Sequence, residues 1–273
     1  MQRAQCNIRD VDISYLDSAP GDSTRPAVLL LHGFPDSGAM WMAQIDALHG
    51  AGFRVLAPDA RGYGQSQLTT RVEESALDRI VGDFCGLLDA LEIEAAHVAG
   101  HDWGAVFAWG LAGLQPERVR RLVAMSVGHP GAYARAGVEQ KLRAWYAFAF
   151  LIPGFAERLL PFADWRLLRS GFTAHPTPDE VRREMSRPGR LTAALNVYRA
   201  NARLLMSEPL PSVRADTLGI YSSGDAFLTA RQMRESERYV RGTWRYEQLR
   251  GGHWMPLEQP DRISELLIEH FSG

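Results

Sequence analysis

The chain has 273 residues, 46% of them hydrophobic, and 30 basic against 32 acidic side chains give a formal net charge of -2. That length holds one large domain, or a core with an inserted lid. A charge so close to neutral, with acids interspersed among the basic residues, argues against nucleic acid or an anionic membrane surface as partner.

The basic residues are almost all arginine, with Lys141 the sole lysine. The two cysteines, Cys6 and Cys85, form no CxxC pair, so neither a zinc site nor a disulfide scaffold is expected. Cys85 falls in an apolar helical pattern and reads as a small core residue.

From the N-terminus, MQRAQCNIRDVDISY lacks the apolar run of a signal peptide, which reads as a soluble, cytoplasmic protein. AVLLLHG (27–33) is a continuous apolar run, as in a strand buried on both faces, and FRVLAPD (53–59) is another. A helical pattern, ALDRIVGDFCGLLDAL (76–91), precedes a third strand-like run, AAHVAG (95–100), and a second helix follows Trp103. RLVAMSV (121–127) comes next. From His129 to Pro211 the alternation gives way to helical segments rich in Trp, Tyr, Phe and Arg, broken by IPG (152–154) and HPTPDE (175–180). Its apolar stretch AWYAFAFLIPGF (144–155) is too short to span a bilayer. TLGIYSS (217–223), WRYEQL (244–249) and the helical DRISELLIEHF (261–271) complete the order. Strands alternating with helices predict a mostly parallel sheet flanked by helices. The insertion predicts a helical cap over the carboxyl ends of the strands, where open α/β sheets bind ligands. The expected division is a core over 1–128, a cap over 129–211 and the rest of the core over 212–273.

At the turn after the third run stands VAGHDWGA (98–105), an acid with glycine two residues to either side. Small-x-nucleophile-x-small between strand and helix is a nucleophile-elbow pattern, and it makes Asp102 the candidate nucleophile. Asp is also a favoured helix cap, but a cap does not require Gly100 and Gly104. No GxSxG occurs elsewhere in the chain. A carboxylate attacking an acyl carbon would give an anhydride, whereas attack on a saturated carbon gives an alkyl ester that water can open. The matching substrates carry an electrophilic sp3 carbon with a leaving group, namely epoxides or alkyl halides.

Opening the ester calls for a base. His253, in LRGGHWMPLEQP after the last strand, falls third in the order nucleophile, acid, histidine. His49, His175 and His270 read as surface or helix residues and His97 as a strand side chain, while His32, His101 and His129 read as structural neighbours of the pocket. Asp225, in GIYSSGDAFLT, follows a strand and precedes His253, so it is the expected partner that orients the imidazole. Asp216 stands at the wrong end of that strand, the GHPG loop after RLVAMSV holds no acid, and Asp59 reads as a turn or capping residue. The backbone N–H groups of Phe34, in LLLHGFP, and Trp103, after the nucleophile, are the expected oxyanion hole.

HGFP, PDARGYGQS, GHDWG and GGHW together resemble the α/β-hydrolase fold and, within it, the soluble epoxide hydrolase and haloalkane dehalogenase branch, over nearly the whole chain. The leaving group separates those two activities. Halide needs only N–H donors, but epoxide opening expels an alkoxide that wants a proton, and a phenol can give one. RAWYAFAFLIPG (143–154) resembles the epoxide hydrolase segment with a tyrosine seven residues before Pro-Gly, here Tyr146. LNVYRAN (195–201) resembles that family's Leu-Asn-x-Tyr-Arg segment and supplies Tyr198. The resemblance implies that the two phenols bind and protonate the epoxide oxygen. This chain departs from the family at Leu151-Ile152, where a Gln is frequent, and at Val197, where Trp is frequent. Trp103 and Val106 stand where fluoroacetate-type dehalogenases carry arginines, which disfavours a small anionic substrate.

The expected activity is hydrolysis of a small apolar epoxide by water to a vicinal diol, with no cofactor and no metal. Trp145, Phe148, Phe150 and Trp165 in the cap suit an apolar substrate or a core. Three alternatives stand beside it: a haloalkane dehalogenase using Asp102 with Trp103 as one halide donor, a Ser-type esterase, which the elbow's lack of Ser makes remote, and a non-catalytic ligand-binding homologue. A homodimer is compatible with the sequence.

Overall fold

The computed structural model describes the chain apart from residues 10, 163, 167–174 and 207–209, and apart from the side chains of 205 and 206. Its centre is a sheet of eight strands among the described residues: β1 (Gln2–Ile8), β2 (Val11–Asp17), β3 (Ala27–Leu31), β4 (Arg54–Pro58), β5 (Ala96–His101), β6 (Val119–Met125), β7 (Asp216–Ser222) and β8 (Trp244–Leu249). Their order is β1-β2-β4-β3-β5-β6-β7-β8. Pairing is parallel from β4 to β8 across the sheet, while β1 and β2 are antiparallel to each other and β2 to β4. The expected α/β-hydrolase architecture therefore holds.

The continuous apolar runs follow from burial on both faces. Side chains alternate across the strands, so Leu29, Leu31, Val98 and Leu122 pack on one side with Phe84 and Phe107. Val28, Leu30, Val55 and Val123 face the other side with Ile45, Leu48, Ile263 and Leu266. Helices α1 (Met42–Gly50), α2 (Leu77–Ala90), α3 (Trp103–Leu114) and the last helix, Pro260–Ser272, supply these covers.

Two features lie beyond the expectation. The β1–β2 hairpin carries a weak apolar signal because β1 keeps only Ile8 buried and β2 buries Ser14 and Asp17 among Ile13, Tyr15 and Leu16. Those polar groups are tolerated because each is bonded: Arg3 donates to Ser14 Oγ at 2.9 Å, and Arg54 Nη2 donates to Asp17 at 2.7 Å. Helix α1 lies outside the expectation too, because the apolar residues of MAQIDALHG form no clear stripe.

Between β6 and β7 the described residues form helices only: α4 (Pro130–Ala134), α5 (Val138–Arg143), α6 (Trp145–Leu151), α7 (Phe155–Phe162), α8 (Pro178–Met185), α9 (Arg190–Ala200) and α10 (Ala202–Met206). Parts of the predicted insertion, at 163, 167–174 and 207–209, lie outside the described residues. The helices are tied to loops that follow β4 and β7. Tyr63 donates to Ala194 O at 2.8 Å, Arg187 to Gly64 O at 2.9 Å, and Arg143 to Asp225 O at 2.7 Å. Both loops sit at carboxyl ends of strands. Of the cap aromatic residues, Phe150 and Trp165 are buried, but Trp145 and Phe148 are 63% and 59% exposed. No helix among the described residues is long and apolar enough to cross a membrane.

A buried ion pair locks the loop after β4 to α2. Arg61 donates to Asp83 from both Nε and Nη2, at 2.6 and 2.5 Å, with both side chains buried. Removing one member leaves an uncompensated buried charge. Asp83→Ala should lose about 3–5 kcal/mol in chemical denaturation; a loss below about 1 kcal/mol would show that water reaches the arginine.

Candidate active site

The elbow is built by exclusion of side chains. Asp102 has φ 55 and ψ -123, a backbone conformation that few non-glycine residues adopt. It persists because its surroundings leave no alternative. A Cβ on Gly100 would collide with the Gly104 carbonyl, and a Cβ on Gly104 with the Leu31 carbonyl. A Cβ on Gly33 would strike the Asp102 side chain itself. Strand β5 therefore runs straight into α3, and the carboxylate stands at the apex.

One carboxylate oxygen is already held. Phe34 N–H donates to Asp102 Oδ1 at 2.9 Å. Trp103 is the first residue of α3, so its amide has no intrahelical partner and points where negative charge is favoured. The loop carrying Phe34 is fixed from below by Asp59, whose carboxylate accepts from Gly38 N, Gln65 N and Arg3 Nη1, each at 2.8 Å. Asp59 is thus a buried turn-holding group.

The other oxygen faces a histidine. His253 Nε2 lies 3.6 Å from Asp102 Oδ2, and His253 Nδ1 lies 2.8 Å from Asp225 Oδ2. The far Asp225 oxygen accepts from Phe227 N at 2.8 Å and Leu228 N at 3.0 Å, so the carboxylate is fully engaged. Burial acts against the imidazolium, but Asp225 and Asp102 on either side win and hold the His253 pKa up to about 10. Burial likewise opposes ionisation of Asp225, yet His253 and the two amides keep its carboxyl below the usual range. The folded imidazole is thus raised above the value of a free one, about 6.5. Its contribution to stability is full below pH about 6.5 and disappears as pH rises through 10. Thermal denaturation between pH 7 and 10 should show a steeper fall in Tm for the wild type than for His253→Gln. Parallel curves would contradict the paired imidazolium.

His101, buried beside this pair, is pushed down to about 4 by burial and by the His253 charge. It is neutral and donates from Nε2 to the His253 carbonyl at 2.8 Å, holding that backbone in place. His32 accepts from Ala60 N at 3.0 Å and so donates from Nδ1 to Gly33 O. His129 caps α4. These three hold the framework.

Tyr198, on α9, is buried with its ring 5.0 Å from Trp103, 5.7 Å from Phe34 and 5.0 Å from Phe150. Tyr146, on α6, is partly buried, 5.4 Å from the same Phe150 and 5.2 Å from Phe227. Phe227 in turn lies 5.0 Å from His253. The two phenols therefore flank one aromatic wall on the side of the elbow opposite the sheet. Burial first, and then the Asp102 charge among neighbouring acidic groups, pushes both phenols well above the usual tyrosine value. Both stay protonated at any physiological pH.

Three groups at the site were not singled out as functional. Tyr133, on α4, is a third phenol, pushed up to about 12 by burial, with Asp102 adding to the rise. No sequence pattern marks it. His175 is not a surface residue: it is buried, packs edge-on to Trp254 at 4.7 Å and donates to Asp36 at 3.1 Å. Thr177 N–H donates to its Nδ1 at 3.0 Å, which leaves Nε2 as the donor. Asp36 follows HGFP directly, and that position was the available clue. Among the described residues, no group of three or more His, Cys, Asp or Glu is placed to hold a metal ion.

A mostly parallel sheet entered by a strained strand–turn–helix, with Asp102, Asp225 and His253 brought together in that chain order, defines a hydrolase of the α/β class. The sequence matches the alpha/beta hydrolase fold family over residues 26–258, and the chain belongs to that family. It is similar to the AB hydrolase superfamily protein YfhM of Bacillus subtilis, at 32% identity over 94% of this chain and 93% of the other. It is also similar to epoxide hydrolase A of Mycobacterium tuberculosis, at 30% identity over 93% and 92%. The crystal structure of epoxide hydrolase A from Mycobacterium thermoresistibile superposes with a TM-score of 0.83 at 28% identity, over 100% of this chain and 98% of that one.

Proposed function

We propose that this protein is an epoxide hydrolase that converts an apolar epoxide to a vicinal diol through an alkyl ester on Asp102. The observation that carries this reading is the pairing of a carboxylate at the elbow with two protonated phenols whose rings pack beside it, Tyr198 on Phe34 and Trp103 and Tyr146 on Phe227. We assign residues 129–211 as the cap that brings those phenols over the core.

Ring opening comes first. Asp102 Oδ2, the oxygen not held by Phe34, attacks a ring carbon from behind, and the C–O bond on the far side breaks. Tyr146 and Tyr198 hydrogen-bond the departing oxygen and protonate it. Hydrolysis follows. Esterification removes the Asp102 charge, which is one of the two supports holding the His253 pKa up. The imidazolium of the resting enzyme then gives up its proton more readily, to the phenolate left by ring opening, and the neutral ring can act as base. It deprotonates a water that attacks the ester carbonyl carbon, and Asp225 stabilises the returning imidazolium. The carbonyl oxygen, Oδ1, becomes the oxyanion beside the amides of Phe34 and Trp103. Collapse releases the diol, its leaving oxygen taking the remaining proton of the attacking water, and restores the carboxylate. Every group the cycle needs is a side chain or amide of this chain.

The names of the relatives in M. tuberculosis and M. thermoresistibile support the same reaction. Racemic styrene oxide and several trans-disubstituted epoxides should yield diol at a rate that saturates with substrate. Halide release from a bromoalkane panel with no diol from any epoxide would instead make the protein a dehalogenase. Tight saturable binding without turnover would make it a receptor.

A further inference from the structure

The loop that carries Asp225 is held from outside by one cap helix. Gln140, on α5, is 1% exposed and fully bonded. Its Nε2 donates to Phe227 O at 2.9 Å, and its Oε1 accepts from Thr229 N at 2.9 Å and Thr229 Oγ1 at 3.1 Å. One turn further on, Arg143 Nη1 donates to Asp225 O at 2.7 Å and to Leu228 O at 2.8 Å, while Nη2 pairs with Glu139 at 2.9 Å. The carboxylate of Asp225 folds the same loop from inside, through the amides of 227 and 228. Its position against His253 therefore depends on two layers of hydrogen bonds, and the outer layer belongs to α5. The loop's Phe227 ring transmits the arrangement, because it packs against both His253 and Tyr146.

We propose that Gln140 and Arg143 are positioning residues for the second half of the reaction, clamping the Asp225 loop so that His253 is aimed at the water that opens the ester. The proposal rests on the two-step reading above. Ring opening uses Asp102 and the phenols, which this clamp reaches only through the Phe227 ring packed on Tyr146. Hydrolysis uses the Asp225–His253 pair, which it touches at the Asp225 carbonyl. A misplacement of about 1 Å in such a pair costs up to about 100-fold in rate. The clamp thus predicts a selective effect on one step, whereas a mere fastening of cap to core would slow both.

Steady-state kinetics and intact-protein mass measured during turnover of styrene oxide test this, with Gln140→Met, Arg143→Ala and Arg143→Lys compared to wild type and to His253→Gln. In Gln140→Met and Arg143→Ala, kcat should fall about 10-fold or more and KM fall with it, leaving kcat/KM within about two-fold. The enzyme should then carry the mass of one epoxide through most of the turnover. Arg143→Lys, which keeps donors for the two carbonyls, should recover most of kcat. Arg143→Ala and Arg143→Lys keep the comparison open should Gln140→Met fail to fold. Equal losses in kcat and kcat/KM without an adduct, or no loss at all, would overturn the clamp while an adduct in His253→Gln left the two-step reading standing. Absence of an adduct in His253→Gln as well would overturn that reading, and the clamp with it.

Discussion

Asp102→Asn should reduce diol formation by at least about 10⁴-fold, the order of loss expected when the covalent nucleophile of a hydrolase is removed. The substitution is nearly isosteric, and Asn tolerates a positive φ about as well as Asp. Its amide oxygen can still accept from Phe34 N–H, so the elbow and the oxyanion loop should keep their shape. What is lost is the negative charge that attacks carbon. The same change removes one of the two carboxylates supporting the His253 imidazolium, so the histidine should titrate lower than about 10 in the variant. Diol production and intact mass after incubation with styrene oxide measure the effect together. Retention of more than about 1% of wild-type activity with a clean preparation would mean that another group attacks the ring, because the neutral amide is no nucleophile.

Tyr146→Phe combined with Tyr198→Phe should slow ring opening by about 10²–10⁴-fold, the usual worth of general acid catalysis. The rings and their edge contacts with Phe150, Phe227 and Trp103 survive the change, so the loss reports the hydroxyl groups rather than packing. Either single substitution should cost much less than the pair, since the remaining phenol still reaches the oxygen. Because the defect lies in the first step, kcat/KM should fall with kcat and no ester should accumulate. That is the reverse of the pattern expected for Gln140 and Arg143. A double variant that opens epoxides at near-normal rate would leave the nucleophile in place but remove the phenols from the mechanism.

The contrast between these residues shows what a sequence discloses. Gly100, Asp102 and Gly104 could be read directly, because a tight turn imposes its requirements on neighbours in the chain. Buried parallel strands such as Ala27–Leu31 were equally plain, since both faces demand apolar side chains. The β1–β2 hairpin was not, because its buried Ser14 and Asp17 are tolerated only through Arg3 and Arg54, partners that lie elsewhere in the chain. His175 reads as a surface or helix residue, for nothing in HPTPDE says that it meets Asp36, 139 residues away. Gln140 and Arg143 carry no motif at all. Their significance comes from the approach of α5 to a loop more than 80 residues onward, which only the folded chain displays. Tyr146 and Tyr198 stood out through resemblance to a family pattern rather than through any local rule, and the exposure of Trp145 and Phe148 shows how little an aromatic cap composition by itself says about a pocket.

A single turnover in heavy-oxygen water, with enzyme in excess over epoxide, bears most directly on the covalent route. If Asp102 forms the ester and water opens it at the carbonyl carbon, the diol should leave with no label and the heavy oxygen should appear in the peptide containing Asp102. Label in the first-formed diol, with an unlabelled Asp102 peptide, would show that water attacks the epoxide itself and would contradict the ester.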